Sequence, residues 1–343
     1  MNFQNNHYTL KFADGSDNSG IRDIFESSTF SGGISVQYLR NPKPYESFQA
    51  DGDDAKILVI IDNIKKRTAA VGGAVVRQEY LNGRVEKCAY LTGLKIHPDY
   101  QKKISFLTNA YAFLHDEISD CQYFYTTILD DNRPVISMFE KKHKNMPEYR
   151  YLGHYTTYCF HGGRKIIAVE KNNMKGFDEL LKTHFAKMSL TPVNYGYAGF
   201  GDKVFYCVRK DEEITACCFV GNQQAYKQYK MNSYGGIYKV LSKLPVNILS
   251  YPKFPGADSI INHGIVSYLY VKDNDPELCK KFLRSVAGDT DFSLLLWGGF
   301  ENHPLCPALD RMKTVHYGSR LYSVIWDGQT EISGVIGMGA ALL

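Results

Sequence analysis

Leu94-Lys95-Ile96-His97-Pro98-Asp99-Tyr100-Gln101-Lys102-Lys103-Ile104 runs from an apolar strand, through a proline stop, into the first turn of an amphipathic helix. Pro98 has no amide hydrogen to give a sheet, so the strand ends before it. Beyond it, Ile104, Phe106, Leu107, Ala110, Tyr111 and Leu114 recur at helical spacing and predict a helix over 104–119. Upstream, Lys56–Asp62 and Ala69–Gln78 read as strands, and Asn82-Gly83 turns the chain back through Lys87–Ile96. Tyr8–Phe12 and Ile34–Leu39 alternate as strands, with a helix over Gly20–Ser28 between them. Downstream come a strand over Gln122–Leu129, a turn at Asp130–Pro134 opening a helix through Lys142, and aromatic strands near 149–152 and 154–160. This order describes an α/β (α+β) layered unit.

The later part of the order returns. Strands are predicted over Lys165–Val169, Val204–Arg209, Ile214–Val220, Gly264–Val271, Phe292–Trp297 and Arg320–Trp326, with helices over Gly176–Lys187 and Pro276–Val286. Asp131-Asn132-Arg133-Pro134 and Glu301-Asn302-His303-Pro304 share an acid-Asn-basic-Pro pattern, with Asn132 and Asn302 standing 170 apart. Asp120 and Asp291, before the strands leading to these turns, stand 171 apart. Order and spacing agree, which predicts a duplication: residues 1–162 and 163–343, with His161-Gly162-Gly163-Arg164 as hinge. The length of 343 residues suits two cores better than one.

Composition narrows the function classes. Forty basic and 36 acidic residues are well mixed, for a formal charge of +4. That balance argues against the wide basic face of a nucleic-acid partner. Eight cysteines without a C-x-x-C pair read as reduced, mostly buried thiols of a cytoplasmic protein, and the adjacent Cys217 and Cys218 should face opposite ways on a strand. No apolar run reaches the roughly 18 residues of a membrane helix, so no membrane partner is expected. The apolar, glycine-interrupted tail Gly334–Leu343 reads as a last packed strand or a docking tail. The 25 tyrosines, alternating as at 149, 151, 155 and 158, suit half-buried sheets.

The stretch Leu94–Ile104 resembles the central motif of the GNAT superfamily of N-acetyltransferases, and Asn132-x-x-Val135-x-x-x-Phe139-Glu140-Lys141 resembles that family's second signature. The resemblance covers Tyr8–Phe160 by motif and Lys165–Trp326 by layout. It implies two tandem GNAT-like domains, each a mixed, mainly antiparallel sheet flanked by helices. It also implies acetyl-CoA or another acyl-CoA as co-substrate, with Leu94, Lys95, Ile96, Gln101, Lys102, Lys103, Ile104, Ser105 and Asn132 at the cofactor. In the family, backbone amides at the helix start receive the pyrophosphate, and the preceding strand pairs with the pantetheine arm. Three departures stand out. The loop's two glycine positions hold Ile104 and Phe106, where a Cβ obstructs close approach to phosphate. The tyrosine that reprotonates the departing thiolate is replaced by Phe139, and by Leu309 at the same offset in the second half. The second half's loop, Lys272-Asp273-Asn274-Asp275-Pro276, carries acids that repel a diphosphate.

A general base for amine deprotonation is sought near the thioester, where Glu79, Glu86 and His97 are the nearest titratable residues; each also reads as a solvated edge residue. His154, His263, His303 and His316 lack ligand spacing, and no metal site is expected. Gly298-Gly299, at a strand end before the second Asn-Pro turn, is a place where a ligand would reach the backbone. The reading that follows is an acyl-CoA-dependent N-acyltransferase, acetylating an amine of a small molecule or peptide. Two alternatives stay open: an inactive GNAT-like binding or regulatory protein, and a transferase drawing its acyl group from aminoacyl-tRNA or an acyl carrier protein.

Overall fold

A computed structural model describes residues 3–4, 7–27, 34–100, 105–161, 165–197, 201–244, 251–252, 255–326, 328 and 331–343. The first half runs β1 (Phe3–Gln4), β2 (Tyr8–Phe12), α1 (Asn18–Glu26), β3 (Ile34–Leu39), α2 (Pro44–Gln49), β4 (Asp54–Asp62), β5 (Arg67–Leu81) and β6 (Arg84–Ile96). A short 3₁₀ turn, Pro98–Tyr100, leads on to α3 (Ser105–Ile118), β7 (Tyr123–Leu129), α4 (Arg133–Phe139) and β8 (Glu148–Phe160). The second half contributes β9 (Glu170–Lys171), α5 (Phe177–Thr183), β10 (Thr191–Pro192), β11 (Asp202–Lys210), β12 (Glu213–Asn222), β13 (Gln228–Tyr234) and α6 (Gly236–Leu241). It ends with β14 (His263–Val271), α7 (Pro276–Ala287), β15 (Leu294–Phe300), α8 (Cys306–Asp310) and β16 (Val315–Ile325).

Local chemistry explains the main elements. Asn82 and Gly83 both take positive φ, 51° and 82°, which is what a two-residue hairpin between right-twisted strands requires. α7 opens with Pro276, and the Asp275 carboxylate accepts from the amides of Glu277 and Leu278, satisfying two of the donors a helix start leaves open. Its Cys279, Phe282, Leu283 and Val286 form one buried stripe. Cys217 and Cys218 enter two different apolar clusters, as the two-residue period of β12 demands. The segment 165–169 forms no strand: the amides of Ile166 and Ile167 instead donate to Ser285 Oγ on α7, at 2.8 and 2.9 Å.

One sheet carries most strands, in the order β1-β2-β4-β5-β6-β7-β16-β8-β15-β14-β12-β11-β9, with β10 added on β5; β3 and β13 form a separate two-stranded ribbon. Two pairs within the main sheet are parallel, β6 with β7 and β14 with β15. Each joins strands separated in sequence by a helix, and each gives way after three residues. The ladders end at Tyr90↔Tyr125 and at Ile265↔Leu296, after which the strands part.

Both leading strands carry one extra residue just past the parting. In β6 it falls between the pairs Val71↔Lys95 and Gly73↔Thr92, and Gly93 takes φ 71°. In β14 it falls between Cys217↔Tyr270 and Phe219↔Ser267, and Tyr268 takes φ 50°. Equivalent bulges in equivalent places are the structural form of the sequence repeat. The halves also interlock. β8, closing the first half, pairs with β15 of the second; β16, closing the second, pairs with β7 of the first; and the two closing strands pair with each other.

Candidate functional site

The parting of β6 and β7 makes a V-shaped opening in the first half. At its vertex the Thr126 hydroxyl donates to Leu91 O at 2.7 Å, and the Tyr90 and Thr127 hydroxyls lie 2.7 Å apart. Past the vertex Gly93 occupies the left-handed region, and a Cβ there would stand 2.7 Å from the Phe48 ring. Only glycine accommodates both the φ and that approach. The bulge turns Leu94 outward, 39% exposed, and leaves Lys95 half-buried over the Phe25 ring at 5.1 Å. Burial lowers the Lys95 ammonium to about 8. Ile96 packs on the core beneath α3. Gln101, Lys102, Lys103 and Ile104 lie outside the described residues; Ser105 begins α3. Asn132 sits at the start of α4, its amide donating to Leu129 O at 2.9 Å, and its side chain makes no capping bond. Next to it a cavity of about 380 Å³ is lined by Arg133, Ile136, Ser137, Glu140, Lys141 and Arg320.

Of the three base candidates, the structure buries two. Glu86 faces Glu79 across the hairpin and stays half-exposed. His97 is buried at the end of β6, its Nδ1 accepting from the Asp99 amide at 3.3 Å and its ring edge-on to Tyr100, so it fastens the 3₁₀ turn. Glu79 is 1% exposed, which overturns its reading as a solvated edge residue. Its Oε1 accepts from Tyr125 at 2.7 Å and faces Arg77 Nη1 at 3.5 Å, while its Oε2 is buried with no hydrogen-bond partner among the described residues. Burial pushes its carboxyl up to about 7, against the opposing pull of Arg77 and the Tyr125 bond.

The residues around Glu79 were not singled out in the sequence. Arg77 donates to Asp51 O and Leu342 O, both at 2.8 Å, and lies over the Tyr90 ring at 5.5 Å. Asp51 holds Arg40 and Lys227, each at 2.9 Å. Burial alone would raise Asp51, but Lys227 and Arg40 outweigh it and keep its carboxyl below the usual range. Burial lowers Lys227 to about 8 despite Asp51. Lys227 and Gln223 also donate to Ala341 O, at 3.0 and 2.6 Å. One buried polar centre therefore joins α2 and β5 of the first half, the β12–β13 connection of the second, and the tail. The tail docks rather than forming a strand of its own: Ile336 makes a single bridge with Ser189, and Ile336 and Met338 pack on Tyr125 and Tyr155. A period-two signal was present: Arg77 and Glu79 share one face of a strand that is apolar from Ala69 to Val76, with Gln78 between them on the exposed face.

Phe139 is buried against Tyr149, ring centroids 4.2 Å apart, and its counterpart Leu309 is fully buried. The space beside Gly298 is taken by Tyr155 and that beside Gly299 by Trp297 and Cys306, so these glycines admit side chains and not a ligand. Tyr268, at the second bulge, donates to Pro192 O at 2.8 Å. All eight cysteines are free, and among the described residues no group of three or more His, Cys, Asp or Glu is placed to hold a metal. No described helix is long and apolar enough to cross a membrane.

The overall fold has counterparts among solved structures. Yeast N-myristoyltransferase with bound myristoyl-CoA superposes on 95% of this chain and 84% of its own, at TM-score 0.58 and 9% identity. Another structure of the same yeast enzyme with bound myristoyl-CoA gives TM-score 0.59 at 10% identity, over 94% of this chain and 80% of its own. The chain has a tandem GNAT-like fold. A GCN5-related N-acetyltransferase from Anabaena variabilis matches 92% of the chain and 72% of its own, at TM-score 0.50 and 9% identity. No family model and no curated protein matches the sequence. In this GNAT-like frame, the V between β6 and β7 lies at the strand whose motif carried the resemblance.

Proposed function

We propose that the chain is an acyl-CoA-dependent N-acyltransferase, its lobes 1–162 and 163–343 descended from one duplicated unit. The parting of β6 from β7 at Tyr90 and Tyr125, with the Gly93 bulge past it, is the observation that carries this reading. There the donor's pantetheine arm would lie along Leu94–Ile96 as an added strand, its pyrophosphate near the start of α3 with Lys102 and Lys103 as point charges, and Asn132 at the far wall. The acceptor is an amine of a small molecule or peptide, and acetyl is the acyl group. The amine nitrogen attacks the thioester carbon; the C–N bond forms, the C–S bond breaks, and the thiolate leaves to take a proton from water, the resulting hydroxide being neutralised by the proton that Glu79 afterwards returns to solvent. The proton released by the amine passes through the Tyr125 hydroxyl to Glu79, whose raised affinity suits a base working near neutral pH. Phe139 has no hydroxyl for the thiolate, which is why water is given that role.

The likeness to proteins that bind an acyl-CoA supports the donor class. An acyl-transfer assay with acyl-CoA donors from acetyl to myristoyl, against a mixture of amines and peptide N-termini, tests the reading. Thiol release that requires both donor and amine is expected.

A second reading, a binding protein that keeps the fold without the chemistry, is favoured by one observation. Arg77, Glu79 and Tyr125 are all closed off from solvent beneath the tail. Saturable acyl-CoA binding with no thiol release under any acceptor would select it.

A further inference from the structure

A separate cavity of about 300 Å³ lies in the second half, where the end of β8, the middle of α7 and the link from α8 to β16 meet. Its lining is His161, Lys280, Arg284, Arg311, Met312 and Lys313. Lys280 and Arg284 are one helical turn apart on α7 and half-buried. Four cations face this space, and no carboxylate does. None of the four has an acidic side chain within ion-pairing distance among the described residues.

The neighbouring acids are committed elsewhere. Asp289 is taken by Lys165 and Lys171, and Asp310 accepts the Tyr158 hydroxyl at 2.7 Å. The same half pairs other cations with acids, Lys175 with Glu212 and Lys272 with Glu213. Like charges gathered without counter-ions repel, and a bound anion removes that repulsion. At the equivalent place in the first half, where α3 meets the end of β16, His115 stacks on Trp326, 4.6 Å apart.

We infer that this cavity binds a soluble small molecule carrying a diphosphate group, at a site apart from the one proposed for the acyl donor. Two guanidinium forks, Arg284 and Arg311, match phosphate oxygens in pairs, and the two lysines supply point charges. The Tyr251 ring, 5.6 Å from Lys313 Nζ, offers a flat wall beside it for an attached ring. The volume sits at the small end of ligand pockets and suits a diphosphate with a compact body, not a whole coenzyme A.

The test is calorimetric titration of the full chain with inorganic pyrophosphate at physiological ionic strength. Expected is saturable binding that Arg284→Glu weakens about ten-fold or more, as loss of a charge-assisted pair implies. Arg311→Gln, in a connecting segment and less costly to the fold, should weaken it in the same direction. A Lys102→Glu, Lys103→Glu double variant, aimed at the donor site, should leave it standing. No heat up to millimolar pyrophosphate, or binding lost in the Lys102/Lys103 variant and kept in Arg284→Glu, overturns the inference. Titration with acetyl-CoA in parallel reports on the donor site separately, so either proposal can fail alone.

Discussion

Tyr125, the last residue of β7 in parallel register with β6, donates a 2.7 Å hydrogen bond to Glu79 on β5, two strands away. The bond ties the vertex of the V to a buried carboxyl whose proton affinity is raised to about 7.

If Glu79 receives the amine's proton, turnover should rise with pH through a midpoint near 7 and level off above it. Glu79→Gln should abolish that rise and lower turnover by roughly 10²–10⁴-fold. Tyr125→Phe should lower turnover and shift the midpoint. A pH–rate profile of the three proteins is the check; an unchanged profile in Glu79→Gln removes Glu79 from the chemistry.

The same residue shapes stability. Between the ordinary carboxyl value of 4.5 and about 7, the native state keeps a proton that the unfolded chain has released. Stability therefore falls as pH rises across that window and is flat above it. Denaturant melts of Glu79→Gln should lack this slope.

Asp51 is the one carboxylate between Arg40 and Lys227, all three buried. Asp51→Ala leaves two cations without their partner and should cost roughly 3–5 kcal/mol. Chemical denaturation measures it, and a loss below about 1 kcal/mol would mean that the Ala341 carbonyl and the Ser47 hydroxyl satisfy Lys227 and Arg40 without Asp51.

Phe139→Tyr restores the hydroxyl that the GNAT signature carries. Phe139 is stacked on Tyr149 within the core, so the added hydroxyl should cost about 1–3 kcal/mol and leave turnover unimproved. A rise in turnover would show that the helix presents this position to the thioester.

Much of the fold was legible where local chemistry decides it. Asn82-Gly83 fixed the β5–β6 hairpin, Pro98 ended β6, and the Asn-Pro turns 170 apart exposed the repeat. The exchange of β8 and β16 was not legible, because a strand's neighbours are chosen by long-range packing and not by its own pattern. The tail was ambiguous for the same reason: its carbonyls answer Arg77, Lys227 and Gln223, residues more than 110 positions away. Glu79 was misjudged, and Arg77 passed over, because charged residues near a hairpin are mostly solvated; here the docked tail and β10 cover them.

If the opening between β6 and β7 holds an acyl-CoA, the complex is open to direct measurement. Calorimetric titration with acetyl-CoA and longer acyl-CoA donors tests it most directly, with Gly93→Val as the structural control, since a β-branched side chain at φ 71° against Phe48 distorts the bulge. Saturable binding of one donor per chain is expected, weakened by Lys102→Glu or Lys103→Glu and by Gly93→Val. Absence of heat with every donor up to millimolar concentration would contradict it.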